Sequence, residues 1–70
     1  MVRLNGIEFG YRQGMSLAEL VDDYNTVRKK VAFDGFVVIV NDIAVKPLQA
    51  REKILSDNDK IVMIPLLDGG

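Results

Sequence analysis

Only one stretch of this chain has helical spacing, and it stands among short runs that read as strands. Leu17, Leu20, Val21, Tyr24 and Val27 recur at intervals of three and four and form one apolar stripe, with Asp22, Asp23 and Arg28 off it. The stripe opens on Met15-Ser16-Leu17-Ala18-Glu19-Leu20. Ser16 is placed to cap the first turn and Glu19 to return the bond, with Met15 and Leu20 at the two staple positions. The spacing predicts a helix from Ser16 to about Lys30. Arg28-Lys29-Lys30, the densest basic run, then reads as a helix end complementing the macrodipole. One helix can cover only one face of a sheet, so the rest of the chain must build an α+β domain around it.

The strands can be read around that helix. Asn5-Gly6 separates Val2-Arg3-Leu4 from Ile7-Glu8-Phe9-Gly10-Tyr11, and Asn-Gly suits a hairpin because both turn residues take φ > 0. A two-residue turn sets Leu4 opposite Ile7 and Val2 opposite Phe9 on one face, with Arg3 opposite Glu8 on the other. After the helix, Phe33-Asp34-Gly35 reads as a turn and Phe36–Val40 as a β-branched strand. Asn41-Asp42 turns the chain into a short return strand, Ile43-Ala44-Val45, which Pro47 ends. Leu48 to Lys53 fits one irregular helical turn, and Ile54 and Leu55 read as buried. Ser56-Asp57-Asn58-Asp59 is a polar turn, and the last strand starts at Lys60. The order predicts a β-grasp, ubiquitin-like fold: a mixed four- to five-stranded sheet with one helix on one face, and the last strand beside the first. The same reading predicts a domain over 1–67 and a flexible tail over 68–70.

Composition removes most chemistry. The chain has 70 residues, no cysteine and no histidine. Disulfides, thiol nucleophiles, histidine bases and the usual zinc sites are therefore excluded. Nine basic and ten acidic residues give a net charge of -1, too little to attract nucleic acid or an anionic membrane. No run reaches a membrane span, and no signal peptide is evident. A cysteine-free chain is compatible with the cytoplasm.

What remains is the end of the sequence. Lys60-Ile61-Val62-Met63-Ile64-Pro65-Leu66-Leu67 leads into Asp68-Gly69-Gly70. Two glycines make a thin segment able to thread a narrow channel, and the Gly70 α-carboxylate is then the distinctive reactive group. Two terminal glycines arise by chance in roughly 0.5% of chains, so the pair gains weight only from the domain before it. Pro65 removes a ladder donor, which predicts that pairing stops near Ile64 and the tail peels off from Pro65. Ile61 and Met63 alternate with Val62 and Ile64, and only one set can face the helix. The other joins alternate residues of Val37–Val40 in an exposed apolar patch, the mark of an interface.

Together these features resemble the ThiS/MoaD family of ubiquitin-like sulfur carrier proteins, and its ThiS branch most. The resemblance covers the whole chain. It is carried by the Asn5-Gly6 hairpin, Ser16-Leu17-Ala18-Glu19-Leu20, Val38-Ile39-Val40-Asn41, Asp57-Asn58-Asp59 and the closing Gly69-Gly70. Asn58 stands where the family has glycine, which the turn tolerates because Asn visits αL. Asp68 stands where many relatives carry a neutral residue.

The resemblance implies a carrier protein rather than an enzyme. An E1-like adenylating enzyme of the ThiF/MoeB type would use ATP to activate the Gly70 carboxylate. A persulfide donor would convert it to a thiocarboxylate, and thiazole synthase or another sulfur acceptor would take the sulfur, here for thiamin. No cofactor or metal is bound by the chain itself. Asp68 and Gly69 would thread the adenylation site. Val62, Ile64, Leu66 and Leu67 would meet the partner, with Ile61 and Met63 in the core. Simple core packing is the competing reading for Leu66 and Leu67. A MoaD-like small subunit of molybdopterin synthase or a carrier for another sulfur metabolite would share the chemistry. A ubiquitin-like modifier and a non-catalytic interaction module are the other classes. A natural chain longer than this one would first be cleaved after Gly70.

Overall fold

The computed structural model describes residues 1–28 and 30–66. Their order is β1 (Val2–Leu4), β2 (Ile7–Phe9), α1 (Leu17–Val27), β3 (Phe36–Val40), β4 (Ile43–Val45), α2 (Pro47–Glu52) and β5 (Lys60–Pro65). The five strands form one mixed sheet in the order β2-β1-β5-β3-β4. β5 is central, parallel to β1 and antiparallel to β3. This is the expected β-grasp arrangement.

The hairpin register is the one the sequence predicts: Val2 faces Phe9, Arg3 faces Glu8 and Leu4 faces Ile7. Asn5 and Gly6 take φ of 50° and 83°, as a two-residue turn between twisted strands requires. Arg3 Nη2 donates to Glu8 Oε2 at 3.0 Å on the open face. Asn41 and Asp42 repeat the left-handed turn without glycine, at φ of 49° and 71°, and Asn58 also sits at φ 72°.

Ser16 caps α1 as expected. Glu19 N–H donates to Ser16 Oγ at 3.2 Å, and Ser16 N–H donates to Glu19 Oε1 at 3.1 Å. The Ser16 backbone bond, with Arg12 second, holds the Glu19 carboxyl below its ordinary pKa. Leu17, Leu20, Val21 and Tyr24 are buried against the sheet with Val2, Leu4, Val38, Val40, Ile61 and Met63. No polar or charged residue among those described is buried, so burial of apolar area drives the packing.

Four local expectations are corrected. α1 ends at Val27, not near Lys30. The Asn25 side chain accepts from Val31 N–H at 2.8 Å and donates to Val31 O at 3.0 Å, folding the chain back. Arg28 closes the helix at φ −137°, so the basic run follows the last turn instead of filling it, and Lys29 lies outside the described residues. Val27, at the helix's open end, is 61% exposed and leaves the stripe. Ile54 is 58% exposed, whereas Leu55 is buried. Residues 53–55 run antiparallel to 15–17, through Leu17 N–H to Lys53 O and Leu55 N–H to Met15 O. Alternation then turns Leu55 inward and Ile54 out. The segment after Pro47 forms a six-residue helix with Pro47 in its first turn and Ala50 buried.

The fourth correction concerns Pro65. It remains paired, opposite Phe36, and Leu66 N–H donates to Gly35 O at 2.8 Å. The backbone groups of Asp59, Ile61 and Met63 point to β1, while those of Lys60 and Leu66 point to β3. By alternation Pro65 points its missing donor to the β1 side, where β1 has already ended. The proline therefore costs the β3 pairing nothing.

Ser16→Ala is expected to lower stability by about 1 kcal/mol in urea unfolding. Ile61→Asp should leave the chain unfolded by circular dichroism. Burying an unpaired carboxylate costs several kcal/mol, on the order of the stability of so small a domain. Val62→Asp should stay folded, and the opposite pattern would reverse the assignment of faces.

Candidate functional site

The site is built on β5. Ile61 and Met63 are buried under the helix, so Val62 and Ile64 belong to the open face. Ile39 lies directly opposite Val62, and Val37 directly opposite Ile64. These four side chains are partly buried or, for Ile64, 47% exposed, and they form one apolar patch at the centre of the sheet. Ala44 extends it across β4, opposite Ile39. Among the described residues no helix covers this face, since α1 and α2 both bury their apolar residues on the other side.

The patch has a direction. Toward the start of β5, the register places Lys60 beside Arg3, which pairs with Glu8. Toward the end of β5 the surface is apolar through Ile64, and Leu66 is 61% exposed beyond it. A partner docked on Val37, Ile39, Val62 and Ile64 would therefore sit beside the exit of the chain. On the opposite side of that exit, Asn5, Tyr24, Lys30, Val31, Phe36, Met63 and Pro65 line a shallow groove.

Two asparagines read from the sequence as turn residues do more than turn the chain. Asn5 Nδ2 donates to Met63 O at 3.2 Å, and Asn5 Oδ1 accepts from Met63 N–H at 2.8 Å. At the other end, Asn41 Oδ1 accepts from Lys60 N–H at 2.9 Å, and Asn41 Nδ2 donates to Asp59 Oδ1 at 2.8 Å. Asp59 Oδ2 in turn accepts from Ser56 N–H at 2.8 Å, which ties the polar turn to the strand start. Each asparagine sits with φ > 0 just past a strand, and that position is the signal that could have revealed a side chain free to pair.

The structure thus brings Val62 and Ile64 together on the open face, with Leu66 exposed beyond them. Leu67, Asp68, Gly69 and Gly70, the other predicted site residues, lie outside the described residues, as does the predicted boundary between domain and tail. Among the described residues no helix is long and apolar enough to cross a membrane. Also among them, no three acidic side chains gather as a metal site would need.

The sequence model of the ThiS family matches residues 2–70. No curated protein matches the chain. Proteins of this family are small carriers rather than catalysts and interact with E1-like adenylating enzymes and sulfur acceptors. A match over nearly the whole length, on a five-stranded β-grasp sheet, places this chain in the ThiS family as a sulfur carrier of the ThiS/MoaD type.

Proposed function

We propose that this protein is a cytoplasmic sulfur carrier for thiazole formation in thiamin biosynthesis, loaded at the α-carboxylate of Gly70. The observation that carries the reading is the path of β5. It runs through the centre of the sheet, stays paired through Pro65 and Leu66, and carries the open apolar face on its outward residues. A rigid strand that delivers its own end next to a docking patch is what a carrier presented to a channel needs. The likeness to the ThiS branch in the hairpin, helix start and Asp57-Asn58-Asp59 turn supports thiamin over molybdopterin.

The chemistry follows from a carboxylate being a poor electrophile. In the partner enzyme the Gly70 carboxylate attacks the α-phosphorus of ATP, and pyrophosphate leaves. The resulting acyl adenylate has a good leaving group in AMP. The terminal sulfur of a persulfide displaces AMP and gives an acyl disulfide. A thiol reductant supplies two electrons, the S–S bond breaks, and Gly70 is left as a thiocarboxylate. Its sulfur is a nucleophile for the acceptor, thiazole synthase in this reading. The carrier contributes no acid, base, metal or cofactor of its own, and ATP belongs to the adenylating enzyme. Gly69 and Asp68 thread the channel. Val62, Ile64, Leu66 and Leu67 contact the partner.

Deleting Gly70 should abolish ATP–pyrophosphate exchange with a cognate adenylating enzyme while leaving the melting temperature unchanged. The deletion withdraws the carboxyl by about 3.3 Å of extended chain. Gly69→Val should do the same, because a branched side chain stiffens and widens the thread. Wild-type rates from both variants would make the glycines incidental and favour a plain interaction module. On the docking face, Val62→Asp and Ile64→Asp should raise KM for the carrier several-fold, read in the same assay, with circular dichroism unchanged. An unaltered KM for both would remove the patch from the interface.

A further inference from the structure

The geometry points to Asn5 as a positioning residue, whose side-chain amide extends the β1–β5 ladder to Met63 and holds the last part of β5 in place. On the β1 flank, Arg3 N–H donates to Asp59 O and Asn5 N–H, just past β1, donates to Ile61 O, each at 3.0 Å. Asn5 then takes φ 50° and the backbone turns away into the hairpin. Met63, the next residue of β5 that faces β1, would be left with an unpaired N–H and C=O. The Asn5 amide meets both, accepting at 2.8 Å and donating at 3.2 Å. A primary amide carries a donor and an acceptor in one plane, so it reproduces a backbone peptide at this point.

The next residue on that flank is Pro65, which has no N–H. The two residues therefore work as a pair. Asn5 completes the ladder one step beyond the end of β1, and Pro65 leaves no unsatisfied donor at the step after it. On the opposite flank β3 pairs with β5 to Pro65, and Gly35 O accepts from Leu66 N–H at 2.8 Å. β5 is thus held on both sides to within a few residues of its exit. Loss of the Asn5 amide would leave the segment after Ile61 tethered from one flank, free to swing about the β3 pairing. A reacting group displaced by about 1 Å can lose on the order of 100-fold in rate. The Asn5 amide bonds to Met63, so its action is through β5. This consequence rests on the carrier reading above, whereas the clamp itself does not.

The test uses Asn5→Gly, which keeps the left-handed turn and removes the amide, and Asn5→Asp, which keeps the acceptor for Met63 N–H but sets an oxygen against Met63 O. Two readouts are taken on the full chain. The first needs no partner: amide hydrogen exchange by NMR. Met63 N–H should exchange at least tenfold faster in Asn5→Gly than in wild type and by a smaller factor in Asn5→Asp. Ile61 N–H should change little. Equal Met63 protection in all three proteins overturns the clamp. The second is ATP–pyrophosphate exchange with the cognate adenylating enzyme, below the unfolding temperature of every variant. Asn5→Gly should lower kcat roughly 10-fold or more with KM within about twofold, and Asn5→Asp should recover part of it. Faster Met63 exchange with an unchanged kcat overturns the positioning role. A wild-type chain that supports no exchange reaction refutes the adenylation reading instead, and Met63 protection still decides the clamp.

Discussion

The double-sided pairing of β5 is the interaction on which the rest of this structure depends. β5 is the central strand of the sheet, parallel to β1 on one flank and antiparallel to β3 on the other. Its inward residues, Ile61 and Met63, lie in the core beneath α1. Its outward residues, Val62 and Ile64, are the centre of the open face. Its end is the root of the Gly-Gly segment. A single register therefore fixes the core, the candidate docking patch and the exit of the chain. Because the side-chain period of a strand is two, a slip by one residue would exchange all three roles at once.

Such a register must be pinned, and side chains do much of the pinning. Asn41 and Asp59 fix the beginning of β5, and Asn5 fixes it at Met63. Short strands make these bonds matter. β1 has three residues and meets β5 over two registered pairs, so two extra hydrogen bonds from one amide extend the contact appreciably. Net contributions near 1 kcal/mol per bond are a sizeable part of the stability of a domain this small. The apolar core and the polar clamps are thus separate devices. One drives collapse, and the other selects the alignment.

Much of this was legible in the sequence because it is local. The Asn5-Gly6 turn specifies its own register, and Arg3 opposite Glu8 follows from it. Ser16 and Glu19 announce the start of α1 within four residues. The alternation of Ile61 to Ile64 divides core from surface once a helix is known to cover one face. The parts that were not legible depend on contacts distant in sequence or on which flank a group faces. The Asn5 amide reaches Met63 across the whole chain. The end of α1 depends on Asn25 reaching Val31, so apolar spacing alone carried the helix too far. Ile54 faces out because residues 53–55 pair with 15–17, which no local pattern reveals. Pro65 is the sharpest case. The rule that proline ends pairing is local, but its outcome depends on β1 having ended before the proline's empty flank.

The central claim is that this strand serves a chemically active end. Intact mass spectrometry of the full-length protein tests it most directly, after incubation with ATP, an adenylating enzyme and a persulfide donor with a thiol reductant. The predicted product carries one sulfur in place of one oxygen, mapped by fragmentation to the C-terminal residue Gly70, and it forms only when ATP is present. An unchanged mass, from folded protein and with an enzyme that loads its own carrier in parallel, would contradict the claim. So would a product joined through Gly70 to lysines of other proteins, which would make the chain a modifier instead.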